Sequence, residues 1–176
     1  SEYGLKLRCI AGCMTRMPDL LEAEFDLIIQ PVSSCYITDP EALHAEAARV
    51  LKPGGVYIVQ HKQPVSLQAD AAPTSGGYRM GVSAFHQGPL PSVEGYEHRE
   101  EGTVEFLHSL ESLVGGLCRA GFVIEDLREP RHGDPSASMG TFRHRAWFVP
   151  PYVTLKARRR LGTPRPNGSV LQVGAR

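Results

Sequence analysis

The sequence lacks several features that would define a membrane, secreted or metal-binding protein. No apolar stretch reaches the roughly 18 residues that a membrane-spanning helix requires, and the first ten residues do not have the pattern of a signal peptide. The four cysteines form no CxxC pair, and the seven histidines include no HExxH motif. We therefore predict no membrane segment, no metal and no disulfide framework, and we expect a cytoplasmic protein.

What is present is the composition of a globular protein. The chain has 176 residues, of which 41% are hydrophobic and 22% charged, and this suits one domain with a buried core. The net charge of zero hides an asymmetry, because residues 1–127 carry 9 Lys+Arg against 17 Asp+Glu and residues 128–176 carry 10 against 2. Such a basic end indicates an anionic partner or a solvated tail, and we expect residues 153–176 to form a flexible basic tail.

Segments typical of strands and of helices alternate along the chain. The predicted strands are 5–11, 25–29, 56–59, 122–124 and 145–149. The predicted helices are a short turn over 18–24, a helix over 40–51 with Thr38 or Asp39 as its N-cap, and a helix from Thr103 to Gly121. This alternation predicts an α/β fold with a mostly parallel sheet, closed by an antiparallel pair because no helix separates the last two strands.

Two short motifs carry a resemblance to a known family. The run FDLII at 25–29 is followed, after a helix, by LKPGG at 51–55 and a strand, and this pairing resembles the middle of a class I S-adenosylmethionine-dependent methyltransferase. The resemblance covers about residues 5–152, so we expect a partial methyltransferase domain over 1–152, with a lid-like insertion at 61–102. It implies a Rossmann-like sheet in the order 3-2-1-4-5-7-6, of which this sequence supplies the equivalents of strands 3 to 7.

The first strand of that family, its GxGxG turn and the acidic residue after its second strand have no counterpart here. In the family the glycine-rich turn approaches the methionine part of the cofactor, and the acid accepts the ribose hydroxyls. The missing strands belong in the centre of the sheet. We therefore expect a fragment whose sheet is completed by an N-terminal segment or by a partner, with a decayed, noncatalytic remnant or binding module as the alternative.

The resemblance implies S-adenosylmethionine as cofactor and methyl transfer by in-line displacement, in which positioning dominates. It implies that Cys13, Met14, Gln30 and Pro31 bind the cofactor, although Cys13 is equally consistent with a buried thiol. It further places the loop after the strand at 25–29 beside the transferred methyl group.

The acceptor site is predicted from the residues that follow the strands. The predicted substrate-pocket residues are Cys35, Tyr36, Tyr78 and His86. The alternative for Tyr36 is that it fastens its loop to the following helix, and the alternative for Tyr78 and His86 is that they belong to a small core within the insertion. His61 is a candidate general base, or else a surface histidine. Gln30-Pro31-Val32-Ser33 departs from the Asn/Asp-Pro-Pro-Tyr/Phe motif of enzymes that methylate nucleic-acid amines, so we expect a small-molecule acceptor. Nucleic-acid binding through Arg158–Arg160 is a minor alternative.

Overall fold

The fold is known from a computed structural model, which describes residue 4 and residues 6–93 and 97–162. The strands are β1 (Phe25–Gln30), β2 (Leu51–Lys62), β3 (Phe122–Arg128) and β4 (Tyr152–Arg159). The helices are α1 (Pro40–Val50), α2 (Pro64–Gln68), α3 (Gly116–Arg119) and α4 (Phe142–Phe148). A 3-10 turn at Ser34–Tyr36 follows β1, and a π-helical turn at Glu111–Gly115 runs directly into α3.

The four strands form one sheet in the order β1-β2-β4-β3. β1 and β2 are parallel, whereas β4 is antiparallel to both β2 and β3. This arrangement corresponds to the 4-5-7-6 part of the strand order that the resemblance implies. Because β1 and β2 are parallel, their carboxyl ends lie at the same edge of the sheet, where ligands bind in open α/β folds.

Helix α1 begins where the sequence predicts it. The Asp39 side chain accepts a hydrogen bond from the Ala42 N–H at 3.0 Å, and Pro40 occupies the first turn, where its missing N–H costs nothing. Leu43 and Ala47 are buried on the side facing the sheet. Local capping and a 3.6-residue apolar period therefore agree, and the helix forms as expected.

Strand β2 begins at Leu51, directly after α1, so the Lys-Pro-Gly-Gly segment belongs to the strand. The pairing with β1 shifts register here, since Phe25 pairs with Leu51 and Leu27 with Val56. Gly54 has a φ of 80°, a conformation that side chains disfavour. A side chain at Gly55 would approach the Asp26 carbonyl oxygen to 3.0 Å, so glycine is required for the bulge.

The core lies between one face of the sheet and helices α1 and α3. Its completely buried members are Leu51, Tyr57, Val59, Leu117, Phe122, Leu155 and Ala157. The other face of the sheet is apolar but accessible, since Leu27, Ile29 and Val123 are each about half exposed or more. No strand among the described residues pairs with the outer edge of β1. None of the helices in the described part of the chain is long and apolar enough to cross a membrane.

Two predicted elements near the N-terminus are wrong. The described part of the segment predicted as a strand, residues 6–11, has no strand partner, because alternation alone supplies no hydrogen bonds without a neighbouring edge. The segment predicted as a helical turn, 18–24, forms successive turns, and Ala23 has a φ of 51°, which interrupts a helix.

Two predictions in the second half are also wrong. Residues 145–149 read as a strand because Trp147 and Phe148 favour strands, yet they lie largely in α4, where the Thr141 side chain accepts from the His144 N–H. The helix predicted from Thr103 begins only at the π-helical turn. Phe106 instead extends beside the loop after β1 and donates its N–H to the Cys35 carbonyl at 2.7 Å.

The first part of the predicted basic tail is strand β4. Residues Val153, Leu155 and Ala157 alternate toward the core, and the basic residues lie between them. Lys156 and Arg158 both pair with Glu125 on β3, and these cations lower the pKa of Glu125 to about 2. The basic charge of this segment is therefore partly neutralised within the sheet.

Candidate active site

The carboxyl ends of β1 and β2 bring together residues from four distant parts of the chain. The loop and 3-10 turn after β1 supply Gln30 to Tyr36, and the end of β2 supplies His61 and Lys62. The segment 105–108 packs against both, and the N-terminal segment reaches the end of β1 through Met14, whose sulfur lies 3.8 Å from the Gln30 Nε2. This edge is the candidate active site.

A cavity of about 880 Å³ lies between the N-terminal segment and β1. Cys13 and Met14 line it together with the apolar side chains of Ile10, Met17, Leu20 and Phe25. Cys13 is exposed, and a hydrogen bond with Thr15 lowers the pKa of its thiol. The alternative that Cys13 is a buried thiol is therefore wrong.

Of the four residues predicted to bind cofactor, Met14 and Gln30 are in contact. The Gln30 side chain donates to Ser33 Oγ at 3.0 Å and accepts from the Tyr57 hydroxyl. Pro31 is exposed, and its carbonyl accepts from Ser33 Oγ. The apolar part of the lining suits an adenine ring, and Arg8, Arg16, Asp19 and Glu24 also line the cavity. The described residues include no glycine-rich turn after a strand.

The predicted pocket residues Cys35 and Tyr36 lie on the 3-10 turn. Cys35 is 2% exposed, and burial raises the pKa of its thiol to about 11, so it is a neutral thiol inside the protein. The Tyr36 hydroxyl donates to the Glu100 carboxylate at 3.1 Å. Burial and this contact raise the pKa of Tyr36. Tyr36 thus ties the turn to residues 97–102 while part of its ring stays accessible.

His61 does not reach the surface. Its side chain is 0% exposed, and its Nδ1 lies 2.7 Å from Ser34 Oγ. The ring packs edge-on against that of His44, which is also completely buried, and burial lowers the pKa of His61 to about 3. Because a general base must contact its substrate, this burial argues against the predicted role, and the alternative of a surface histidine is wrong.

His108 holds the loop after β1 from the opposite side. Its Nε2 lies 3.0 Å from the Ser34 carbonyl oxygen and 2.9 Å from that of Ile37. The sequence analysis missed this residue, because nothing in the pattern around it indicates that it meets a loop about 70 residues earlier. Its proximity to residues 30–37 depends on the tertiary fold alone.

A buried ionic cluster lies next to the 3-10 turn. The Glu105 carboxylate is completely buried and bridges Lys62, at 2.6 Å, and Arg99, at 2.9 Å. Lys62 also donates to the His98 carbonyl at 2.9 Å. The cluster therefore fixes one end of the predicted insertion 61–102 to strand β2, since breaking it would leave charges buried without partners.

Tyr78 and His86 do not join Cys35 and Tyr36 in a common group. The Tyr78 hydroxyl lies 2.8 Å from His144 Nδ1, and its ring packs against Phe148 of α4. His86 contacts the Pro89 carbonyl within its own loop. In both cases the contacts are those of a structural role, although the assignment to the substrate pocket stays a prediction.

The comparisons with known proteins agree with this fold. Residues 1–59 match the family model described as a methyltransferase domain. The structure resembles an S-adenosylmethionine-dependent methyltransferase from Mesorhizobium loti (TM-score 0.66, 20% identity, 84% of this chain and 67% of that one). It also resembles one from Clostridium acetobutylicum ATCC 824 (TM-score 0.56, 17% identity, 90% of this chain and 67% of that one).

A third similar structure is a geranyl diphosphate C-methyltransferase from Streptomyces coelicolor A3(2), solved with Mg²⁺, geranyl diphosphate and S-adenosyl-L-homocysteine (TM-score 0.52, 15% identity, 85% of this chain and 53% of that one). No curated protein has a significant match to the sequence. The chain thus spans about two thirds of the length of the first two similar structures and about half of the third.

The expected resemblance is confirmed. A methyltransferase-domain match over 59 of the 176 residues and a shared fold over most of the chain identify a class I S-adenosylmethionine-dependent methyltransferase fold. The four-stranded sheet is the β1-β2-β4-β3 portion of that Rossmann-like architecture.

Proposed function

We propose that this protein transfers a methyl group from S-adenosylmethionine to a small-molecule acceptor at the carboxyl ends of β1 and β2. The observation that carries the proposal is the contact between Met14, on the cavity beside the N-terminal segment, and Gln30, at the start of the loop after β1. This contact connects a space suited to the donor with the loop beside which the methyl group would be transferred.

The cofactor residues follow from that placement. Cys13 and Met14 would flank the adenine, while Gln30 and Pro31 would lie nearer the reacting carbon. The cofactor, when bound, supplies a methyl group on a positively charged sulfur, which is electrophilic without help from a covalent intermediate. The glycine-rich turn that approaches the methionine part in the family has no counterpart among the described residues.

The proposal includes a small molecule as the acceptor of the methyl group. The S. coelicolor structure, whose fold is similar to that of this chain, contains geranyl diphosphate, which is a small molecule. We place the activity in the cytoplasm, and we retain the partial domain over 1–152 and the lid-like role of residues 61–102 as parts of the same proposal.

The open edge of β1 supports the proposal that an additional segment or a partner completes the sheet. No strand among the described residues pairs with the outer edge of β1, although β1 is a central strand in the family order. An exposed apolar strand edge favours pairing with another strand.

Binding of S-adenosylhomocysteine to this chain, measured by calorimetry, tests the proposal. We expect micromolar binding that Met14→Glu abolishes, because a carboxylate would replace the apolar surface that Met14 contributes to the cavity. Met80→Glu is the matched control, since Met80 is 48% exposed and does not line that cavity. Binding that is unaffected by Met14→Glu would contradict the assigned position.

A noncatalytic remnant or binding module is the second candidate. It is favoured by the lack, among the described residues, of a glycine-rich turn after a strand. The same titration separates the two candidates, because a remnant would not bind S-adenosylhomocysteine either alone or in the longest protein that contains this chain.

A further inference from the structure

A small cavity of about 250 Å³ lies directly beside His108. Gln63, Val65 and Gln68 line it from the region after β2, and Leu107 and Leu110 line it from the other side. The cavity follows the carboxyl end of β2, and His108 itself contacts the loop after β1. It therefore lies at the edge of the sheet where an acceptor would meet the transferred methyl group.

The hydrogen bonds of His108 define its tautomer. Nε2 faces two backbone carbonyl oxygens, those of Ser34 and Ile37, and carbonyl oxygens only accept hydrogen bonds. Nε2 must therefore carry the proton. In a neutral imidazole the other nitrogen, Nδ1, is then an acceptor, and within the described part of the chain Nδ1 has no hydrogen-bond partner.

The neutral form of His108 is favoured. Burial lowers its pKa below the ordinary value, and this outweighs the two carbonyl contacts, which favour the protonated ring. At neutral pH the side chain is thus a proton acceptor whose orientation is fixed through its other nitrogen, which is the arrangement of a positioned base.

The lining of the cavity indicates the kind of acceptor. No Asp, Glu, Lys or Arg is among the described residues that line it. An anionic acceptor such as a carboxylate would lose its hydration there without a compensating cation, and it would need no base. A neutral compound with a hydroxyl group would not need a cation in this cavity, and His108 could accept its proton.

We propose that His108 is the general base for a small acceptor with a neutral hydroxyl group, bound in this cavity. As the acceptor oxygen forms its bond to the methyl carbon, the bond from that carbon to the positively charged sulfur of the methyl donor breaks, and its electron pair stays on sulfur. The hydroxyl proton passes to His108 Nδ1. The inference rests on the proposed methyl transfer and names its base and its class of acceptor.

The test uses the ring nitrogens of His108, observed by long-range ¹H–¹⁵N NMR of the histidine-labelled chain without cofactor. His108→Gln identifies the His108 signals by their loss. We expect Nε2 to be protonated and Nδ1 unprotonated at neutral pH, and we expect phenol to shift the Nδ1 signal whereas benzoate does not. A protonated Nδ1, an equal effect of benzoate, or no effect of phenol at His108 would overturn the proposal.

Two variants separate this role from a purely structural one. Gln at position 108 can place its Nε2 near that of histidine and keep donating to the two carbonyls, so His108→Gln is expected to retain most of the stability that His108→Ala loses. Ala84→Leu narrows the cavity from an exposed position and is expected to weaken the phenol effect while leaving the tautomer unchanged.

These measurements do not involve the donor. If S-adenosylhomocysteine fails to bind but phenol shifts His108 Nδ1, the proposed methyl transfer fails and the assignment of the basic nitrogen and its cavity stands. If S-adenosylhomocysteine binds and phenol has no effect at His108, the present inference alone is refuted.

Discussion

The buried pair His44 and His61 predicts that the protein is unusually sensitive to mild acid. Both side chains are 0% exposed, and among the described residues His61 Nε2 has no hydrogen-bond partner. Burial lowers the pKa of His44 to about 4 and that of His61 to about 3. In the unfolded chain both would titrate near 6.5, so the unfolded state binds more protons as the pH falls below that value.

The sign and size of the effect follow from this difference in proton binding. Stability decreases as the pH falls from about 6.5 toward about 4, because protonation is linked to unfolding. At pH 5 each histidine is protonated in the unfolded state and largely neutral in the folded state, which corresponds to about 2 kcal/mol each at 1.36 kcal/mol per pKa unit. The pair should therefore remove about 4 kcal/mol between pH 7 and pH 5, out of a usual total of about 5–15 kcal/mol.

Urea denaturation followed by circular dichroism at pH 7, 6 and 5 measures this loss. His61→Asn can keep the hydrogen bond with Ser34 but does not titrate, so we expect it to lose about 2 kcal/mol less stability than the wild type over the same interval. The remaining loss comes from His44 and from His98, whose pKa burial also lowers to about 3. His132→Gln, at an exposed position, is the control and should behave as the wild type does. An unfolding free energy that is equal at pH 7 and pH 5, or a His61→Asn variant with the full loss, would refute the reasoning.

Two further predictions concern stability at neutral pH, both measured as the free energy of unfolding in urea. Asp39→Ala removes the N-cap of α1 and should cost about 1 kcal/mol, whereas Asp39→Asn keeps an accepting oxygen and should cost much less; equal losses would contradict the capping role. Glu105→Gln leaves Lys62 and Arg99 facing a neutral group and should cost about 3–5 kcal/mol. A loss below 1 kcal/mol would show that the cluster is not buried as described.

The elements that the sequence predicts correctly are those defined by local signals. Helix α1 has both its N-cap Asp39 and its apolar period within twelve residues, and β1 is a compact run of strand-forming residues beginning at Phe25. The family motif predicts in addition that β1 is followed by α1 and then by a parallel strand. Where local and tertiary preferences agree in this way, a pattern in the sequence is sufficient.

Strand β4 and helix α4 were missed for opposite reasons. The alternation of Val153, Leu155 and Ala157 is a strand signal, but the basic residues between them indicated a tail. In α4, Trp147 and Phe148 favour a strand, yet Arg145 is 2% exposed and donates to the carbonyls of Ser66 and Ala69 at the end of α2. The sequence does not indicate these hydrogen bonds, because Arg145 and the carbonyls that it contacts are brought together only by the tertiary structure.

The sequence pattern places the candidate site at the carboxyl ends of β1 and β2, but it does not bring out His108. Both His61 and His108 lie near the loop after β1, and the strand pattern identified only His61, because it follows a predicted strand. Ser34 contacts both histidines, since its hydroxyl lies beside His61 and its carbonyl oxygen beside His108. The different positions of His61 and His108 depend on contacts from both sides of the loop after β1, which the local sequence does not indicate.

The two sides of the candidate site differ in how completely the described chain builds them. On the proposed acceptor side, the loop after β1 is held by His61, His108 and the backbone of Phe106, so its shape is determined by contacts within this chain. On the proposed donor side, Leu27 and Ile29 are exposed and the cavity beside Cys13 is open. Because a loop fixed by buried contacts does not require the donor to hold its shape, recognition of a hydroxyl acceptor at His108 should be measurable even under conditions in which donor binding is weak.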